Sequence, residues 1–284
     1  MKVSIQGNLA SYSHIAADQV FGSEIDLLQR GSFREVFEDL KSGLADVTVV
    51  PIENSTYGSI YQNYDNITNY SVSLVGEVYV KVNFHLIGHK GKLLKDITDI
   101  YVHPVARGQI KPFELAHPEI KFHEHEDTAG SVKMVAENNM ITSAGCASKM
   151  AAKVYNLEIL EDNIHENPKN YTRFYVISRP EDEGEIKRIV NNEDNGYKTT
   201  FQFTLGSEAG SLYKTLRAFA DRDLSLTKIE SRPVIGTDWE YRFYVDVAAG
   251  MADEALNNAL KELSSYVEKL KILGSYVKGE YVNS

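Results

Sequence analysis

The segment Ala45-Asp46-Val47-Thr48-Val49-Val50-Pro51 is a short apolar run of the kind that forms a buried strand. Shortly before it, Ser32-Phe33-Arg34-Glu35 is a capping box that opens a helix, and Gly43 predicts where that helix ends. A helix that passes directly into a buried strand is typical of an α/β domain. The polar residues that follow the segment therefore lie at the carboxyl end of a strand, where such sheets place their ligand-binding loops.

Apolar runs alternate with amphipathic segments on both sides of this segment, up to about residue 180. The predicted strands are Lys2–Gln6, one or two strands within Val72–Ile87, Ile97–His103, Ile141–Cys146 and Tyr171–Ile177. The predicted helices are Tyr12–Phe21, Asp127–Asn138 with Asp127 as its cap, and a helix that begins near Ala147. This alternation predicts one α/β domain.

The composition changes at Glu181–Asn195, where acidic residues, asparagine and glycine predict a linker. The elements predicted beyond it are Thr199–Leu205, Gly210–Arg222, Leu224–Val234, Trp239–Val247, Ala252–Leu263 and Val267–Val282. Their order, βαββαβ in about 85 residues, matches the split-βαβ ferredoxin-like unit. The predicted domains are therefore 1–180 and 197–284, joined by a linker at 181–196.

Composition excludes several functional classes. The net charge of −10, without a local Lys/Arg cluster, argues against a nucleic-acid binder. No apolar run approaches the roughly 20 residues that span a bilayer, and the first residues lack the apolar core of a signal peptide. Cys146 is the only cysteine, which excludes an intrachain disulfide. We expect a cytoplasmic protein with no nucleic-acid or membrane partner.

The stretch Asn170-Tyr171-Thr172-Arg173-Phe174 combines a carboxamide, a hydroxyl and a guanidinium beside a predicted strand. These groups can bind carboxylates and donate hydrogen bonds at one place. Adjacent strand residues point to opposite faces, so a regular strand places Asn170 and Thr172 on one side and Arg173 on the other. Either the site precedes the strand, or Arg173 supports the domain from behind. Structural roles at a strand end are the alternative for all three residues.

Several motifs of the first domain resemble those of the prephenate dehydratases. Gly7 through His14 resembles the family's opening Gly-Pro-x-Gly-Thr-Phe-Ser, with Asn8 and Ala10 in place of the proline and the second glycine. Further segments match the family in the same order: Pro51 through Ile60 (Pro-x-Glu-Asn-Ser-x-x-Gly-x-Val), His103-Pro104 with Gln109, Thr128-Ala129 (Ser-Thr-Ala) and Asn170 through Phe174 (Asn-x-Thr-Arg-Phe).

The second domain resembles an ACT regulatory domain. Gly210-Ser211-Leu212 is similar to the family's Gly-Ala-Leu element, and Lys228 through Pro233 contains Glu-Ser-Arg-Pro unchanged. The chain is thus identified as similar to prephenate dehydratases with a carboxy-terminal ACT domain. The resemblance implies a two-lobed, periplasmic-binding-protein-like catalytic domain followed by a ferredoxin-like βαββαβ ACT domain.

The resemblance implies a lyase that removes carbon dioxide and the ring hydroxyl from prephenate, leaving phenylpyruvate. Aromatisation drives this reaction, so it requires no metal or cofactor, and we expect none. It requires a hydrogen-bond donor at the leaving hydroxyl and further donors at two carboxylates. Thr172 is the predicted catalytic donor, either directly or as one link of a proton chain. The residues predicted to bind the substrate are Asn170, Arg173, Glu53, Asn54, Ser55, Ser13 and Thr128.

Each of these substrate-binding residues has a structural alternative. Asn54, Ser55, Ser13 and Thr128 lie where side chains also cap helices. Glu53 is an unexpected neighbour for an anion; it could orient other groups, or act as an acid if burial raises its pKa. His103 is interpreted as a polar residue at a strand end rather than as a catalytic one. His123-Glu124-His125-Glu126 is too weak a pattern to predict a metal site.

The ACT resemblance implies feedback inhibition by an amino acid, with phenylalanine as the expected effector. The residues predicted to bind it are Gly210, Leu212, Ser225, Glu230 and Ser231, with Ile229 as a further apolar wall. Such domains pair side by side, which implies a homodimer or homotetramer. Two alternatives stay open: an arogenate dehydratase, and a non-catalytic amino-acid-sensing binding protein.

Overall fold

The computed structural model describes residues 1–190, 195–206, 208–237 and 240–282. The strands in this part of the chain are β1 (Lys2–Gln6), β2 (Asp26–Arg30), β3 (Val47–Asn54), β4 (Gly58–Ser59), β5 (Ser73–Lys81), β6 (His85–Gly88), β7 (Asp99–Val102), β8 (Lys121–Glu124), β9 (Ser143–Ala147), β10 (Glu158–Glu161), β11 (Tyr171–Ser178), β12 (Tyr197–Leu205), β13 (Leu226–Pro233), β14 (Tyr241–Val247), β15 (Lys269–Val277) and β16 (Tyr281–Val282).

The helices are α1 (Tyr12–Phe21), α2 (Phe33–Ser42), α3 (Tyr61–Asn69), α4 (Pro104–Gln109), α5 (Lys111–Ala116), α6 (Thr128–Glu137), α7 (Lys149–Val154), α8 (Glu183–Val190), α9 (Ser211–Ala220) and α10 (Glu254–Leu263). Short 3₁₀ turns cover Leu94–Asp96 and Pro180–Asp182. In the described ranges, every helix is too short or too polar to cross a lipid bilayer.

The chain forms two compact units. The first contains Met1–Ser71, Val78–Arg179 and the described part of Glu280–Ser284, and the second contains Val72–Glu77 and Pro180–Gly279. The first unit has two lobes, each built on its own sheet. The strand order is β16-β5-β11-β3-β1-β2 in the first lobe, where β4 also pairs with β3, and β10-β6-β9-β7-β8 in the second.

The first lobe is organised around the segment with which the sequence analysis began. Strand β3 has parallel β1 on one side and antiparallel β11 on the other, and its residues Val47, Val49, Val50 and Ile52 have no exposed surface. Helix α2 begins with the predicted capping box at Ser32 and Glu35 and ends at Gly43 in the left-handed conformation. The capping prediction is thereby confirmed.

In the second lobe, β7 runs parallel to both β8 and β9, and β6 is antiparallel to β9. Helix α6 packs on this sheet through Val132 and Val135, which are fully buried. Asp127 is the residue that caps α6, as predicted, because its side chain accepts a hydrogen bond from the backbone of Ala129. Val72–Ile87 contains two strands, and they belong to different sheets.

The second unit contains an antiparallel sheet in the order β13-β14-β12-β15. Helices α9 and α10 cover one face, and their apolar side chains pack with Phe201, Phe203 and Val245. The element order βαββαβ and this strand order are those of the predicted split-βαβ unit.

Two predictions near the unit boundaries are corrected. Much of the predicted linker is helix α8, because Ile186 gives the segment a buried side and Glu183 and Lys187 form an ion pair of 2.6 Å one turn apart. The rest of the linker includes residues 191–194, which lie outside the described residues. Trp239, the first residue of the predicted strand Trp239–Val247, also lies outside them. The predicted last strand, Val267–Val282, is two strands: β15 stays in the second unit, whereas β16 pairs with β5 in the first.

Candidate active site

A cleft of about 360 Å³ lies between the two lobes of the first unit, a size typical of small-molecule sites. Much of its polar lining lies at or just after the carboxyl ends of β1, β3, β7 and β8, as expected for α/β sheets, whereas Thr172 lies at the start of the antiparallel strand β11. The first lobe contributes Gln6, Gly7, Ser11, Ser13, Asn54 and Thr172, and the second contributes His103, Gln109, Glu126, Asp127 and Thr128.

Thr172 lines the cleft and is held there by Asn54. The two residues pair across β11 and β3, and Asn54 Nδ2 donates to Thr172 Oγ1 at 3.0 Å. Asn54 Oδ1 accepts from the backbone N–H groups of Thr56 and Tyr57 at 3.0 and 2.8 Å, which fixes the orientation of the amide. Because Thr172 Oγ1 accepts from Asn54, its own hydrogen is available to a group in the cleft.

Asn170 supports Thr172 from behind and does not line the cleft. Its exposed fraction is 1 %; its Oδ1 accepts from Asn54 Nδ2 at 2.8 Å, and its Nδ2 donates to Gln109 Oε1 at 2.6 Å. Both ends of the amide are engaged within the protein, and direct contact of Asn170 with substrate stays a prediction. Gln109 is the residue through which this network reaches the cleft.

Arg173 and Glu53 also lie outside the cleft lining. They pair with each other across the two strands, so both point to the face opposite Thr172 and Asn54. The Arg173 guanidinium lies 4.8 Å from the Tyr175 ring centroid and 4.0 Å from Glu53 Oε2. This position agrees with the alternative in which Arg173 supports the domain from behind, and direct contact of Arg173 and Glu53 with substrate stays a prediction.

Ser55 has a structural role as well. Its Oγ donates to Lys169 O at 3.2 Å and accepts from Tyr171 N at 2.9 Å, while its own N–H donates to Tyr171 O at 2.8 Å. These bonds fix the backbone just before Thr172. Ser55 lies one residue beyond the end of β3, where its side chain meets the neighbouring chain segment, and its contact with substrate stays a prediction.

Ser13 and Thr128 both line the cleft, each in the first turn of a ten-residue helix. Ser11 caps α1 by accepting from His14 N, so Ser13 is not needed as the cap. Asp127 caps α6 in the same way, which leaves the Thr128 hydroxyl uninvolved in capping. First turns of helices carry backbone N–H groups and the positive end of the helix dipole, which together favour an anion.

His103, which the sequence analysis set aside, is part of the cleft lining. Its Nδ1 accepts from Val105 N at 3.3 Å, so the hydrogen of the neutral ring is on Nε2. Burial lowers the pKa of His103, and nearby Asp127 opposes this only in part. The ring is therefore a neutral hydrogen-bond donor at neutral pH. His103 could have been found because it directly follows the carboxyl end of β7.

The remaining lining is largely apolar. The aromatic part comprises Tyr12, Phe33, Tyr57, Phe84 and Phe174. Among the described residues that line the cleft there is no lysine or arginine. A bound carboxylate would therefore be held by hydroxyl, amide and helix-terminal donors rather than by an ion pair.

The weaker candidates have structural partners. His123 contacts Asp99 Oδ1 at 2.7 Å and stacks on Tyr101, and His125 Nδ1 lies 2.9 Å from Asp127 O. In the described part of the chain, no group of three or more His, Cys, Asp and Glu side chains is arranged to hold a metal ion. Cys146 is buried, and burial raises its pKa well above the ordinary range.

The predicted effector residues lie in the second unit but do not all share a face. Gly210 begins α9 with a φ of 80°, a conformation that favours glycine, and Leu212 packs against the helix-side core. Ile229 and Ser231 pair with Val245 and Phe243, whose side chains belong to the same core, so they share this side.

Glu230 pairs with Tyr244 and is 3.6 Å from Lys228 Nζ, on the opposite face of the sheet. Successive strand residues alternate between faces, so Glu230 lies on the face opposite Ser231, and its contact with the effector stays a prediction. Ser225 is exposed just before β13, and its carbonyl accepts from Ala248 N at 2.9 Å.

Comparison with known proteins identifies the family. The family model described as prephenate dehydratase matches residues 3–182. The protein named arogenate dehydratase/prephenate dehydratase 6, chloroplastic, of Arabidopsis thaliana is 34% identical over 291 residues, which cover 97% of this chain and 68% of the relative.

Two solved structures resemble the whole chain. The prephenate dehydratase of Arthrobacter aurescens in complex with L-Phe has a TM-score of 0.86 and 27% identity, covering 98% of this chain and 90% of the other. GqqA, described as a novel type of quorum quenching acylase, has a TM-score of 0.86 and 29% identity, covering 98% of each chain. With the family model spanning the unit that contains the cleft, we conclude that the chain belongs to the prephenate dehydratase family.

Proposed function

We propose that the chain converts prephenate to phenylpyruvate in the cleft of the first unit. The observation that supports this most directly is the Thr172 hydroxyl, whose oxygen accepts from Asn54 and whose hydrogen is therefore left for the substrate. In the reaction the bond between the ring and its carboxylate breaks and its electrons enter the ring. Carbon dioxide leaves on one side, and the ring hydroxyl leaves on the other, taking up a proton to become water.

Thr172 donates the hydrogen bond that stabilises the departing hydroxyl in this proposal. Its hydroxyl is a weak acid, so it serves as the last link to a proton source rather than as a free acid. The neutral His103 ring, with its hydrogen on Nε2, lines the same cleft and is the second donor. The apolar rings of the lining suit a product whose ring has become aromatic.

The two carboxylates of the substrate are held by neutral donors. Ser13 and Thr128 present hydroxyls at two helix starts, and Gln109 adds an amide. These groups are preorganised, because each helix start is capped and Gln109 is bonded to Asn170. Fixed dipoles of this kind stabilise charge without reorganising during the reaction.

The direct test is turnover by the purified protein of prephenate and, separately, of arogenate. We expect phenylpyruvate from prephenate, and Thr172→Val should reduce kcat by about 10²-fold or more, the usual effect of losing a positioned proton donor. Thr172→Ser keeps the hydroxyl and is the matched control. Phenylalanine formed from arogenate, with no product from prephenate, would replace the proposed substrate by its amino analogue. Absence of both products would overturn the enzyme assignment and favour an amino-acid-sensing binding protein.

The acylase activity named for GqqA is the second candidate, and the geometry favours it less. Acyl transfer needs a nucleophile paired with a base. The histidine among the described cleft residues is His103, whose Nδ1 already accepts from Val105 N and whose Nε2 carries the hydrogen, so the ring has no free lone pair to act as the base for a cleft hydroxyl. Release of a free acid from an acyl amide by the purified protein would reinstate this candidate.

We further propose that the sheet of the second unit belongs to an ACT domain, which the sequence bounds at residues 197–284, and that phenylalanine inhibits the enzyme through it. Gly210, Leu212 and Ser231 support this, because they lie on one side of the sheet in an order similar to ACT domains. The Arthrobacter relative was solved with L-Phe. Calorimetric titration with phenylalanine should show saturable binding, and Gly210→Val should abolish it. A homodimer or homotetramer and a cytoplasmic location stay predictions from the sequence.

A further inference from the structure

The loop that joins β1 to α1 is hydrogen-bonded to residues of the opposite lobe of the first unit. Asn8 donates twice to Asp127 Oδ2, from its backbone N at 3.0 Å and from Nδ2 at 2.6 Å. Two carbonyl oxygens of the same loop accept hydrogen bonds from Ser148 at 3.1 Å and from Tyr155 at 3.0 Å. The loop therefore connects the two lobes, and Asn8 Oδ1 also accepts from Lys133 Nζ of α6 at 3.4 Å, so both ends of its amide are bonded to the opposite lobe.

Both partners of this contact differ from the motifs that the chain otherwise resembles. Asn8 stands where the opening motif has proline, which has no backbone N–H to donate. Asp127 stands where the Ser-Thr-Ala motif has serine, whose side chain ends in a single hydroxyl and has no second oxygen for another contact. Neither hydrogen bond can form with the motif residues at both positions. The contact thus needs the two residues that this chain has at positions 8 and 127.

Asp127 connects this contact to the helix that it caps. Its Oδ1 accepts from Ala129 N at 2.9 Å, while its Oδ2 accepts from Asn8. One carboxylate thus joins the first turn of α6, which carries Thr128, to the loop that leads into α1, which carries Ser13. Ala10, within this loop, has a φ of 66°, the left-handed conformation that the motif's glycine favours, so the backbone path is kept.

We propose that Asn8 and Asp127 form a clasp that sets the spacing of the two helix starts, and so positions Ser13 and Thr128 for a carboxylate of the substrate. Both act through other groups and are positioning residues. Thr172 is held separately, by Asn54, so the clasp affects binding of the substrate more than the chemical step. The effect on substrate binding rests on the proposed dehydratase function, whereas the clasp itself does not.

A double-mutant cycle tests the proposal, with Asn8→Pro, Asp127→Ser and the two together. Serine caps helices as well as aspartate does, so Asp127→Ser removes the clasp and keeps the cap. Each single change should raise KM for prephenate about tenfold, as expected for loss of hydrogen bonds to a charged group, with kcat within about twofold. The double variant should also show about a tenfold rise. Independent effects that multiply to about a hundredfold, or a fall in kcat with KM unchanged, would overturn the proposal.

Hydrogen exchange of the Asn8 amide gives a measurement that does not depend on turnover. In the intact protein this amide donates to Asp127 and should exchange slowly, whereas Asp127→Ser should increase its exchange rate by about tenfold or more. Asn138→Ala, which removes a side-chain bond at the far end of α6, is the control and should leave it unchanged. If no substrate is turned over but the exchange rates follow this pattern, the clasp stands and the dehydratase assignment fails. Unchanged exchange in Asp127→Ser would refute the clasp.

Discussion

Replacing Asn54 with aspartate tests whether the Asn54 amide directs the Thr172 hydrogen into the cleft. The change is nearly isosteric, and one carboxylate oxygen can still accept from Thr56 N and Tyr57 N. The other oxygen takes the place of Nδ2, which donates to Thr172 at 3.0 Å. That oxygen can only accept, so the Thr172 hydroxyl must turn its hydrogen toward position 54 and away from the substrate.

The size of the effect follows from the groups that lose their donor. Asn170 Oδ1 and Tyr171 O accept from Asn54 Nδ2 at 2.8 and 3.3 Å, and each would face a second acceptor. Tyr171 O keeps the hydrogen bond from Ser55 N at 2.8 Å, so Asn170 Oδ1 is the acceptor left without a donor. An unsatisfied buried acceptor costs about 1–3 kcal/mol, and the free energy of unfolding should fall by that amount. Redirecting the Thr172 hydrogen should lower kcat by about 10²-fold or more, the same as Thr172→Val.

Steady-state kinetics and urea unfolding, measured from about pH 8 down to about pH 5.5, provide the assay. Burial and the neighbouring acceptors raise the pKa of the new carboxyl above its unfolded value, so protonation stabilises the folded variant as pH falls. The protonated carboxyl is again a donor, and kcat relative to the unchanged protein should partly recover.

Asn63→Asp is the matched control, because Asn63 is fully buried and its Nδ2 donates to Pro51 O at 2.7 Å. It should lose stability to a similar extent while kcat stays within a few-fold. If Asn54→Asp loses stability but keeps full kcat, Asn54 does not direct the Thr172 hydrogen and the reasoning fails.

Three further predictions concern stability. Burial lowers the pKa of His103 in the folded protein, so the neutral ring's contribution to stability is complete above the unfolded pKa and is lost as pH falls. His103→Asn keeps a helix cap, and its free energy of unfolding should fall less between about pH 7 and pH 5 than that of the unchanged protein. Lys198→Met leaves Glu77, whose side chain has no exposed surface, without the ion pair of 2.6 Å and should cost about 3–5 kcal/mol in urea unfolding. Gly274→Ala places a methyl group 2.0 Å from a backbone oxygen of β5 and should lower Tm sharply, whereas Gly184→Ala in α8 meets no atom within 4 Å and should raise it. A fall in Tm for the second change would argue against helix α8.

Much of the fold could be predicted because its signals are local. The capping box of α2, the Asp127 cap of α6 and the apolar run of β3 depend only on neighbouring residues. Helix α8 was missed because its polar composition outweighed a single buried residue, Ile186. The strands β2 and β8 were missed because none of their residues is fully buried, so their apolar pattern is weak.

The candidate site was predicted in its location and only in part in its roles. Thr172, Asn54, Ser13 and Thr128 line the cleft, as expected from their positions at strand and helix ends. Strand alternation also indicated that Arg173 faces away. The structural partners of Asn170 and Ser55 could not be predicted, because Gln109 and Lys169 are 61 and 114 positions away along the chain.

By itself, the sequence determined the family, the α/β and βαββαβ order of elements, and the presence of a hydroxyl donor at Thr172. These follow from motifs and periodicities that are written in consecutive residues. Only the tertiary structure decided which polar groups bond to each other: the Asn54 amide donates to Thr172, and the Asp127 carboxylate accepts from Asn8. It also decided that β16 pairs with β5. Such pairings join residues about 100 or more positions apart, and a hydrogen bond depends on distance and direction in space, which residue spacing along the chain does not encode.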